Sequence, residues 1–397
     1  MQMLFVDDEP AVLKVLSATM RPMADEWDMH FVENGEIALA LIQRQPVDAV
    51  ISDMRMPGMN GVQLLNHVLR LHPQAIRFIL SGYSDFQDII SCAGVSHQFL
   101  HKPCNLVNLR DSLKRATRLK SQLQHGKLCM LAARLVNLPS MPDLYVEIMD
   151  ALLSPTSTIQ RIADIAAKDP ALTAKLLQLS NSAFFGINRT VNSASEAVQF
   201  LGVGVIQSLA LAIPLFNAFE RRKCPAFPLD QIWNHSVQTG VIARRLAREQ
   251  SETSPLAEQA FTAGLLHDIG KLILADSLPK EYGAILAEAR ERSEPLMLAE
   301  KGGFEATHAE VGGYLLALWG LPFPMVDAVA HHHEPGRAQG AGFDLTGIIH
   351  VANTLQHERA KQPDLVSSPI DLDYIQKTGM ASQLENWRNA LKDEVGE

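Results

Sequence analysis

The chain has 397 residues, a formal net charge of −9, an apolar fraction of 47% and a charged fraction of 20%. This length has room for two or three domains, and the composition is that of a globular protein with a substantial core rather than a disordered one. The negative net charge gives no support to a nucleic-acid-binding surface. The four cysteines form no CxxC pair and suit a reducing cytosol. Because the acidic run DDE follows only a few apolar residues, we expect no signal peptide and a cytoplasmic location.

The first 118 residues alternate between strand-like and helical patterns, and Pro10 suits the first turn of the first helix. This order predicts an α/β domain of the flavodoxin-like type, with a five-stranded parallel sheet covered on both faces. The predicted strands lie near residues 2–6, 28–32, 47–52, 76–80 and 97–101.

Polar residues end four of these apolar runs. Asp7 and Asp8 follow MLFV, Asp53 follows DAVIS, Ser81 follows RFIL and Lys102 follows QFLH. Parallel strands would bring all five side chains to one carboxyl edge, where ligands bind in open α/β sheets. Three carboxylates held that close require a cation, most simply Mg²⁺. Asp53 can then attack phosphorus, while Lys102 and Ser81 hold the transferring oxygens. The alternative interpretation is a set of solvated acidic residues at strand ends.

This constellation resembles the receiver domain of two-component response regulators, through the motifs VDDEP (6–10), DMRMPGMNG (53–61), LSGYSD (80–85) and HKP (101–103). The resemblance implies that Asp53 is the phosphoacceptor and Asp8 a direct Mg²⁺ ligand, with Asp7 its close helper. It also implies that the backbone carbonyl of Arg55 is a further ligand and Phe99 the switch aromatic. The implied partner is a sensor histidine kinase or a phosphotransfer protein.

The chain becomes helical after Asn105, and its basic residues between 110 and 127 are interpreted as a solvated helix face, with contact to an acidic partner as the alternative. Helix signals continue almost to the end of the chain: Ser157 or Thr158, Pro170, the pair Ser193 and Glu196, and Ser254 before Pro255. We therefore predict an all-α second half. The predicted domains are residues 1–118, a connector at 119–127, an all-α domain at 128–360, and a polar tail at 361–397 with a short helix near 381–392.

Residues 197–219 contain no charged side chain and are long enough to raise the question of a transmembrane helix. The same segment contains Gln199, Gly202, Gln207, Pro214 and Asn217. These residues favour a buried helix pair, so we predict no membrane span.

The all-α half resembles the HDOD domain, a helical output module related to HD-type metallophosphohydrolases. The residues that carry the resemblance are LPSMPDL (138–144), KDPALTAKLLQLSNSAFFG (168–186), EAVQFLGVGVIQSLAL (196–211), AGLLHDIGK (263–271), HAEVGGYLLALWGLP (308–322) and AHHHEP (330–335). The family looks like a regulatory module whose catalytic site has decayed. The resemblance therefore implies an output that binds a partner protein.

Histidines and one carboxylate on separate predicted helices could hold one or two transition metals and activate a water against a phosphodiester. HD-GYP phosphodiesterases, which hydrolyse cyclic di-GMP, have ligands at positions matching His235, His267, Asp268, His308, His332 and His333, and the match extends to Lys271 and Glu334. Two departures weaken the comparison. Asn353 stands where those enzymes have a final Asp ligand, and their Gly-Tyr-Pro segment is replaced by PGRAQGAGFD. His331 is expected to be an exposed neighbour. The alternative is a buried hydrogen-bonded network without metal.

Two functional hypotheses follow. The first is a non-enzymatic response regulator in which phosphorylation of Asp53 changes the partner protein held by the output domain. The second is a phosphorylation-controlled metal phosphodiesterase acting on cyclic di-GMP or a related nucleotide. Asn353 favours the first and the intact HDIGK segment favours the second. No DNA-reading motif follows residue 118, and a homodimer is compatible with the sequence.

Overall fold

The computed structural model describes residues 1–72, 75–82, 96–102, 109–110, 113–114, 142–154, 158–180, 191, 193–219, 223–250, 254–304, 306–319, 321–338, 340, 342–360 and 368–393. The chain divides into two compact units, Met1–Asp143 with Ala317–Leu321, and Leu144–Leu316 with Pro322–Glu397. The predicted connector at 119–127 lies outside the described residues.

The first unit contains a parallel sheet of five strands in the order β2-β1-β3-β4-β5. The strands Gln2–Val6 and Ala49–Asp53 are almost wholly buried, and the neighbouring residues Phe5, Ile51 and Phe78 fill the middle of the sheet. This confirms the predicted fold class. The strands are β1 (Gln2–Val6), β2 (Asp28–Val32), β3 (Ala49–Asp53), β4 (Ile76–Gly82) and β5 (Gln98–Lys102).

Three helices accompany the strands: α1 (Pro10–Met20), α2 (Gly35–Arg44) and α3 (Gly61–Leu71). Each begins at a local signal. Pro10 occupies the first turn of α1, and the side chain of Asn34 accepts the backbone N–H of Ile37 at the start of α2. Asn60 and Gln63 form a reciprocal capping box at the start of α3. Since α3 is capped there, it starts directly after the loop that follows Asp53.

From Asp143 onward the described elements are helices. Thr158 rather than Ser157 caps its helix, and Ser193 accepts the backbone N–H of Glu196. The helices are α4 (Asp143–Leu153), α5 (Ile159–Ala167), α6 (Pro170–Ser180), α7 (Ala194–Leu201), α8 (Val203–Ala218), α9 (Leu229–Gln250), α10 (Ser254–Leu266), α11 (Ile269–Ser277), α12 (Pro279–Arg292), α13 (Leu296–Phe304), α14 (His308–Leu318), α15 (Phe323–His331), α16 (Leu345–Ala360), α17 (Leu372–Lys377) and α18 (Ala381–Asp393).

The uncharged segment forms the helix pair α7 and α8, and most of α8 is buried. Within the described ranges, no single helix has the length and apolar character needed to cross a membrane. Helices α7 and α8 have the required length and apolar character only when they are taken together, and the pair is bent by 114° at the break between the two helices.

The segment after residue 361, expected to be a polar tail with one short helix, contains both α17 and α18 and packs against the domain. Leu384, Trp387 and Leu391 are buried. The indole N–H of Trp387 donates to Glu249 at 2.6 Å, and Arg388 forms two hydrogen bonds with Glu358. The described part of this segment therefore packs against the helical domain through one buried face rather than forming a solvated extension.

Candidate functional site

The acidic residues of the first unit meet at the carboxyl edge of the sheet. Asp7 follows β1, Asp53 ends β3 and Lys102 ends β5. The ammonium of Lys102 lies 2.7 Å from Asp7 Oδ2 and also contacts Asp53 Oδ1. Asp7 is fully buried and Asp53 is 8% exposed. The strand order thus brings together three of the five predicted side chains in one ion group.

Lys102 neutralises only part of the negative charge at this edge. Burial raises the pKa of Asp53, and the hydrogen bond and charge of Lys102 oppose that rise. Burial alone would lower the pKa of Lys102, but hydrogen bonds to Asp53 and Asp7 raise it above its ordinary value. Asp8 follows in the chain and is exposed. Two carboxylates contact one ammonium, and Asp8 adds a third carboxylate next in the chain, so the negative charge is in excess and the donor set fits a divalent cation that prefers oxygen ligands.

The loop after β3 holds Asp53 through backbone contacts. The Arg55 N–H donates to Asp53 Oδ2 at 3.1 Å, and the Gly61 N–H donates to the Met54 carbonyl at 2.9 Å. A Cβ on Gly61 would lie 2.2 Å from the Asp53 carbonyl oxygen. Because only glycine fits this approach, the sequence lets α3 begin against the end of β3 and fix the phosphoacceptor candidate.

The backbone of Ser81 lies in β4, the strand next to that of Asp53, and the backbone of Phe99 lies in β5, one strand further along the sheet. Ser81 pairs with His101, and Phe99 pairs with Ile79. Their side chains lie outside the described residues, so the switch roles of both residues stay predictions.

The helical domain has a second cluster, organised around the carboxylate of Asp268, which is 1% exposed. Its Oδ2 is 3.4 Å from His267 Nε2 and 3.7 Å from His235 Nε2. Its Oδ1 is 3.2 Å from His308 Nε2 and 3.9 Å from His332 Nε2. One carboxylate therefore faces a pair of imidazoles with each of its oxygens.

Close crossing of two helices makes this arrangement possible. A Cβ on Gly270 would lie 1.9 Å from the His308 carbonyl and 2.8 Å from the Gly312 nitrogen. The glycine of the HDIGK segment thus lets α11 pass directly over the start of α14. As a result Asp268, at the beginning of α11, reaches His308 at the beginning of α14.

Four of these histidines direct the same ring nitrogen toward the cluster. His267 Nδ1 bonds the Gly264 carbonyl at 2.7 Å, and His332 Nδ1 bonds the Val329 carbonyl at 2.8 Å. A carbonyl only accepts, so the proton of each ring lies on Nδ1 and the lone pair on Nε2. In the same way, the Nδ1–H of His235 donates to Gln356 Oε1, and the Nδ1–H of His308 donates to Glu300 Oε2 at 2.7 Å.

The inward Nε2 atoms contact one another as acceptors. His235 Nε2 and His267 Nε2 are 3.1 Å apart. Two facing lone pairs repel unless a proton or a cation lies between them. Burial, with the neighbouring ring charge as a smaller cause, lowers the pKa of His235 to about 3, and burial lowers that of His267 to about 4. A proton is therefore disfavoured there at neutral pH, and a cation is the better bridge.

The second pair is His308 Nε2 and His333 Nε2, 2.9 Å apart. Burial and neighbouring rings lower the pKa values of His332 and His333 well below the ordinary value. His308 differs, because burial lowers its pKa but the negative charge of Glu300 and the nearby carboxylate of Asp268 raise it overall. His308 is thus the ring of this cluster that competes for a proton.

Two groups of donors have the spacing of metal sites. In each, the ligand atoms lie within 4.8 Å of one another. Two nitrogens bound at about 2.1 Å to one ion lie about 3.0–3.4 Å apart at octahedral to tetrahedral angles, which the Nε2 pairs approach. The Oδ1 of Asp268 and Nε2 of His332 have no hydrogen-bond partner among the described residues. The donor set therefore fits a transition metal. The groups are His308, His332 and His333, and His235, His267 and Asp268.

Other predicted residues lie around this centre. Lys271 is buried and donates to Asp268 Oδ2 at 2.7 Å. Asn353 is buried in α16, one turn before Gln356, and its Oδ1 has no hydrogen-bond partner among the described residues. Glu334 forms ion pairs with Lys301 and Arg337.

Sequence reasoning missed three residues beside the histidines, of which Glu300 and Gln356 are buried. Glu300 and Gln356 fix the rings of His308 and His235, and the His357 ring lies 4.2 Å from that of His235. Glu300 had a readable signal, since it is an acidic residue in the apolar run LMLAE of α13. Gln356 had none, because it contacts His235 across 121 residues of sequence.

Comparison with protein families identifies both halves of the chain. Residues 3–114 match the response regulator receiver domain, and residues 138–335 match the HDOD domain. The HDOD match ends at Pro335, so α16 with Asn353 and Gln356 lies beyond it.

Individual proteins and solved structures match parts of the chain. An uncharacterized protein of Treponema pallidum is 29% identical over 240 residues, which is 59% of this chain and 45% of that protein. The hydrogenase transcriptional regulatory protein HoxA of Cupriavidus necator is 37% identical over 117 residues, or 28% of this chain and 23% of that protein. The matches thus span less than half of either relative. The crystal structure of an HDOD domain protein from Geobacter sulfurreducens has a TM-score of 0.50 at 22% identity, covering 64% of this chain and 92% of that one, and supports the fold alone.

Proposed function

Because the chain belongs to the two-component response regulators, with an N-terminal receiver domain and a C-terminal HDOD domain, we propose that phosphorylation of Asp53 controls a metal-binding, non-hydrolytic output module. The module acts by changing which partner protein it holds. The phosphate comes from a sensor histidine kinase or a phosphotransfer protein.

The receiver chemistry is supported by the ion group at the sheet edge. Mg²⁺ would be held by Asp7, Asp8, Asp53 and the Arg55 carbonyl, and would supply charge neutralisation for an incoming phosphoryl group. Lys102 already contacts Asp53 Oδ1, so its ammonium is placed to hold a phosphoryl oxygen once Asp53 is modified. Asp53 keeps 8% exposure, which leaves an approach for the donor.

Metal binding in the output module is supported above all by two contacts between ring nitrogens that face each other, His235 Nε2 with His267 Nε2 at 3.1 Å and His308 Nε2 with His333 Nε2 at 2.9 Å. Facing lone pairs on buried rings repel each other, and a bound cation relieves that repulsion where burial has lowered the pKa of the rings, as in His235 and His267. Imidazole and carboxylate donors suit zinc, iron, manganese or cobalt.

The charge of the centre favours one metal over two. Asp268 and Glu300 are buried carboxylates, and Lys271 is a buried ammonium. With neutral imidazoles their sum is one negative charge, so the first divalent ion leaves one positive charge and a second leaves three. Asn353 is neutral and cannot offset that excess. Since uncompensated buried charge is costly, we infer single-metal occupancy and no two-metal hydrolysis.

The phosphodiesterase alternative is favoured by one observation. The two oxygens of Asp268 face separate histidine groups, which is how a carboxylate bridges two metals. An anionic substrate such as cyclic di-GMP could then supply the negative charge that Asn353 lacks.

Metal analysis combined with a hydrolysis assay tests the proposal. We expect the purified full-length protein to hold about one transition metal per chain and to leave cyclic di-GMP intact with added Mn²⁺, Fe²⁺ or Zn²⁺. Asp268→Ala should remove the metal, and His331→Ala, altered at a partly exposed ring beside the centre, should retain it. Asn353→Asp should raise the stoichiometry toward two. Robust hydrolysis by the wild type that is lost in Asp268→Ala would overturn the non-hydrolytic proposal in favour of the enzyme.

A further inference from the structure

Glu300 is a fully buried carboxylate in the helical domain, on a helix that otherwise buries apolar residues. It lies in α13 at 0% exposure, near buried Leu296, Met297 and Phe304. Burying a carboxylate is costly unless hydrogen bonds satisfy it. We therefore expect the carboxylate of Glu300 to have a role that an apolar side chain at this position could not have.

The hydrogen bonds of Glu300 converge on one metal-ligand candidate. Its Oε2 accepts the backbone N–H of His308 at 2.8 Å and the ring Nδ1–H of the same residue at 2.7 Å. Its Oε1 accepts the hydroxyl of Tyr282 at 2.8 Å, and Tyr282 is itself fully buried. Three donors hold the carboxylate, and two of them belong to His308.

This arrangement determines which nitrogen of His308 faces the centre. With the proton held on Nδ1, the Nε2 lone pair points toward Asp268 Oδ1 at 3.2 Å and His333 Nε2 at 2.9 Å. The backbone bond also fixes the first residue of α14, so ring and helix start are positioned by one side chain.

The other ring partners in the centre are weaker. His267 and His332 donate to backbone carbonyls, and His235 uses the amide oxygen of Gln356. A carboxylate acceptor makes an imidazole a stronger metal ligand than a neutral acceptor does, because it stabilises positive charge on the ring. Among the described residues, His308 is the cluster ring with a carboxylate on Nδ1.

We propose that Glu300, held by Tyr282, is a positioning residue that strengthens His308 as a metal ligand and so makes the group of His308, His332 and His333 the first to fill. The inference rests on the proposed metal binding of the output module. It adds that the single metal lies in this group rather than beside His235 and His267.

Titration of the full-length protein with Co²⁺, followed by its visible absorption, tests the inference. Glu300→Gln keeps the size of the side chain but removes its charge, and we expect Co²⁺ affinity to fall by about 10- to 100-fold with a changed ligand-field spectrum. Glu258→Gln is the matched control, because Glu258 is a half-buried carboxylate that pairs with Arg244 and lies outside the histidine centre. Its Co²⁺ affinity and spectrum should equal those of the wild type.

A double-mutant comparison separates a positioning role from a general structural one. If Glu300 acts through His308, then Glu300→Gln should cause no further loss of affinity in a His308→Gln background. Equal affinity of wild type and Glu300→Gln, or an undiminished loss in the His308→Gln background, would overturn the inference. Failure of the wild type to bind Co²⁺ would instead refute the proposed function.

A second measurement needs no substitution. Nitrogen-15 shifts of the histidine rings in the wild type should show His308 protonated at Nδ1 and shifted at Nε2 when Co²⁺ is replaced by diamagnetic Zn²⁺. A ring protonated at Nε2 in the metal-loaded protein would contradict the inference even if Glu300→Gln did not fold.

Discussion

Acidification should destabilise the metal-free helical domain through its buried histidines. The pKa values of His235 and His267 lie at about 3 and about 4 in the folded chain, against an ordinary value of 6.5. When the folded pKa is lowered, the stability it contributes is present above the unfolded pKa and is lost as pH falls toward the folded pKa. The loss should therefore begin near pH 6.5 and continue toward pH 4.

The magnitude follows from the protons taken up by the unfolded chain. Between pH 7.5 and 5.5 an ordinary histidine goes from about one-tenth to about nine-tenths protonated, which stabilises the unfolded state by about 1.4 kcal/mol. His235 and His267 together lower the free energy of unfolding by about 3 kcal/mol. His332 and His333, whose pKa values are also lowered by burial, add to this, and His308, whose pKa is raised, opposes it.

Urea unfolding of chelator-treated full-length protein, followed by far-UV circular dichroism at the two pH values, measures this loss. His235→Gln should remove about 1.4 kcal/mol of the pH-dependent fall, whatever its effect on absolute stability. A fall below about 1 kcal/mol in the wild type, or the same fall in the wild type and His235→Gln, would refute the reasoning.

Three further outcomes concern the receiver and its connection. With Mg²⁺ and a small-molecule phosphodonor, the wild type should become labelled and Asp53→Asn should not; label retained in that variant would mean that the nucleophile is misassigned. Ser81→Ala should still be labelled but should weaken the conformational response, so an equal response of a fluorophore on the 81–102 face in both proteins would exclude this coupling. Limited proteolysis should cut near 119–127 and release a receiver of about 118 residues together with a folded helical remainder. Cleavage mainly within 150–330, with that connector intact, would indicate a single fused unit instead.

The sheet and its ion group were readable from the sequence because the signals are local. Each apolar run is short and ends at a polar residue, and parallel pairing then brings those ends to one edge. The same is true of helix starts such as Asn60 with Gln63, or Ser193, whose side chain bonds lie within three residues. Local patterns of this kind need no tertiary information.

The C-terminal helices show a signal that was present but misjudged. Leu384, Trp387 and Leu391 recur at intervals of three and four residues, which is the spacing of one buried helix face. Charged and amide residues around them, such as Glu385 and Arg388, gave the segment a polar average. Periodicity rather than mean polarity was the informative property.

The partners of the histidines could not be predicted in this way. Gln356 reaches His235 across 121 residues, and Glu300 reaches His308 across eight residues that include the break between two helices. Neither contact is marked by a periodic pattern in the sequence, because each depends on how two helices cross in the folded domain. A motif shows which rings belong together but not which nitrogen of each ring faces inward.

The groups that accept the Nδ1 hydrogen bonds of the histidines affect how many metal ions the histidine centre can bind. A two-metal hydrolase needs enough negative charge to hold both ions. The Nδ1 of His308 bonds a carboxylate, Glu300, whereas the Nδ1 of His235 bonds an uncharged amide, Gln356. Asn353, one turn earlier on the same helix, is also an amide. The two amide side chains on α16 thus leave one group of imidazoles without the negative charge of a carboxylate. Since imidazoles alone can bind a metal but carry no negative charge, a second ion would bind only together with an anion. Added phosphate should then raise the metal stoichiometry of the wild type above one, and a stoichiometry of two without phosphate would contradict this account of the centre.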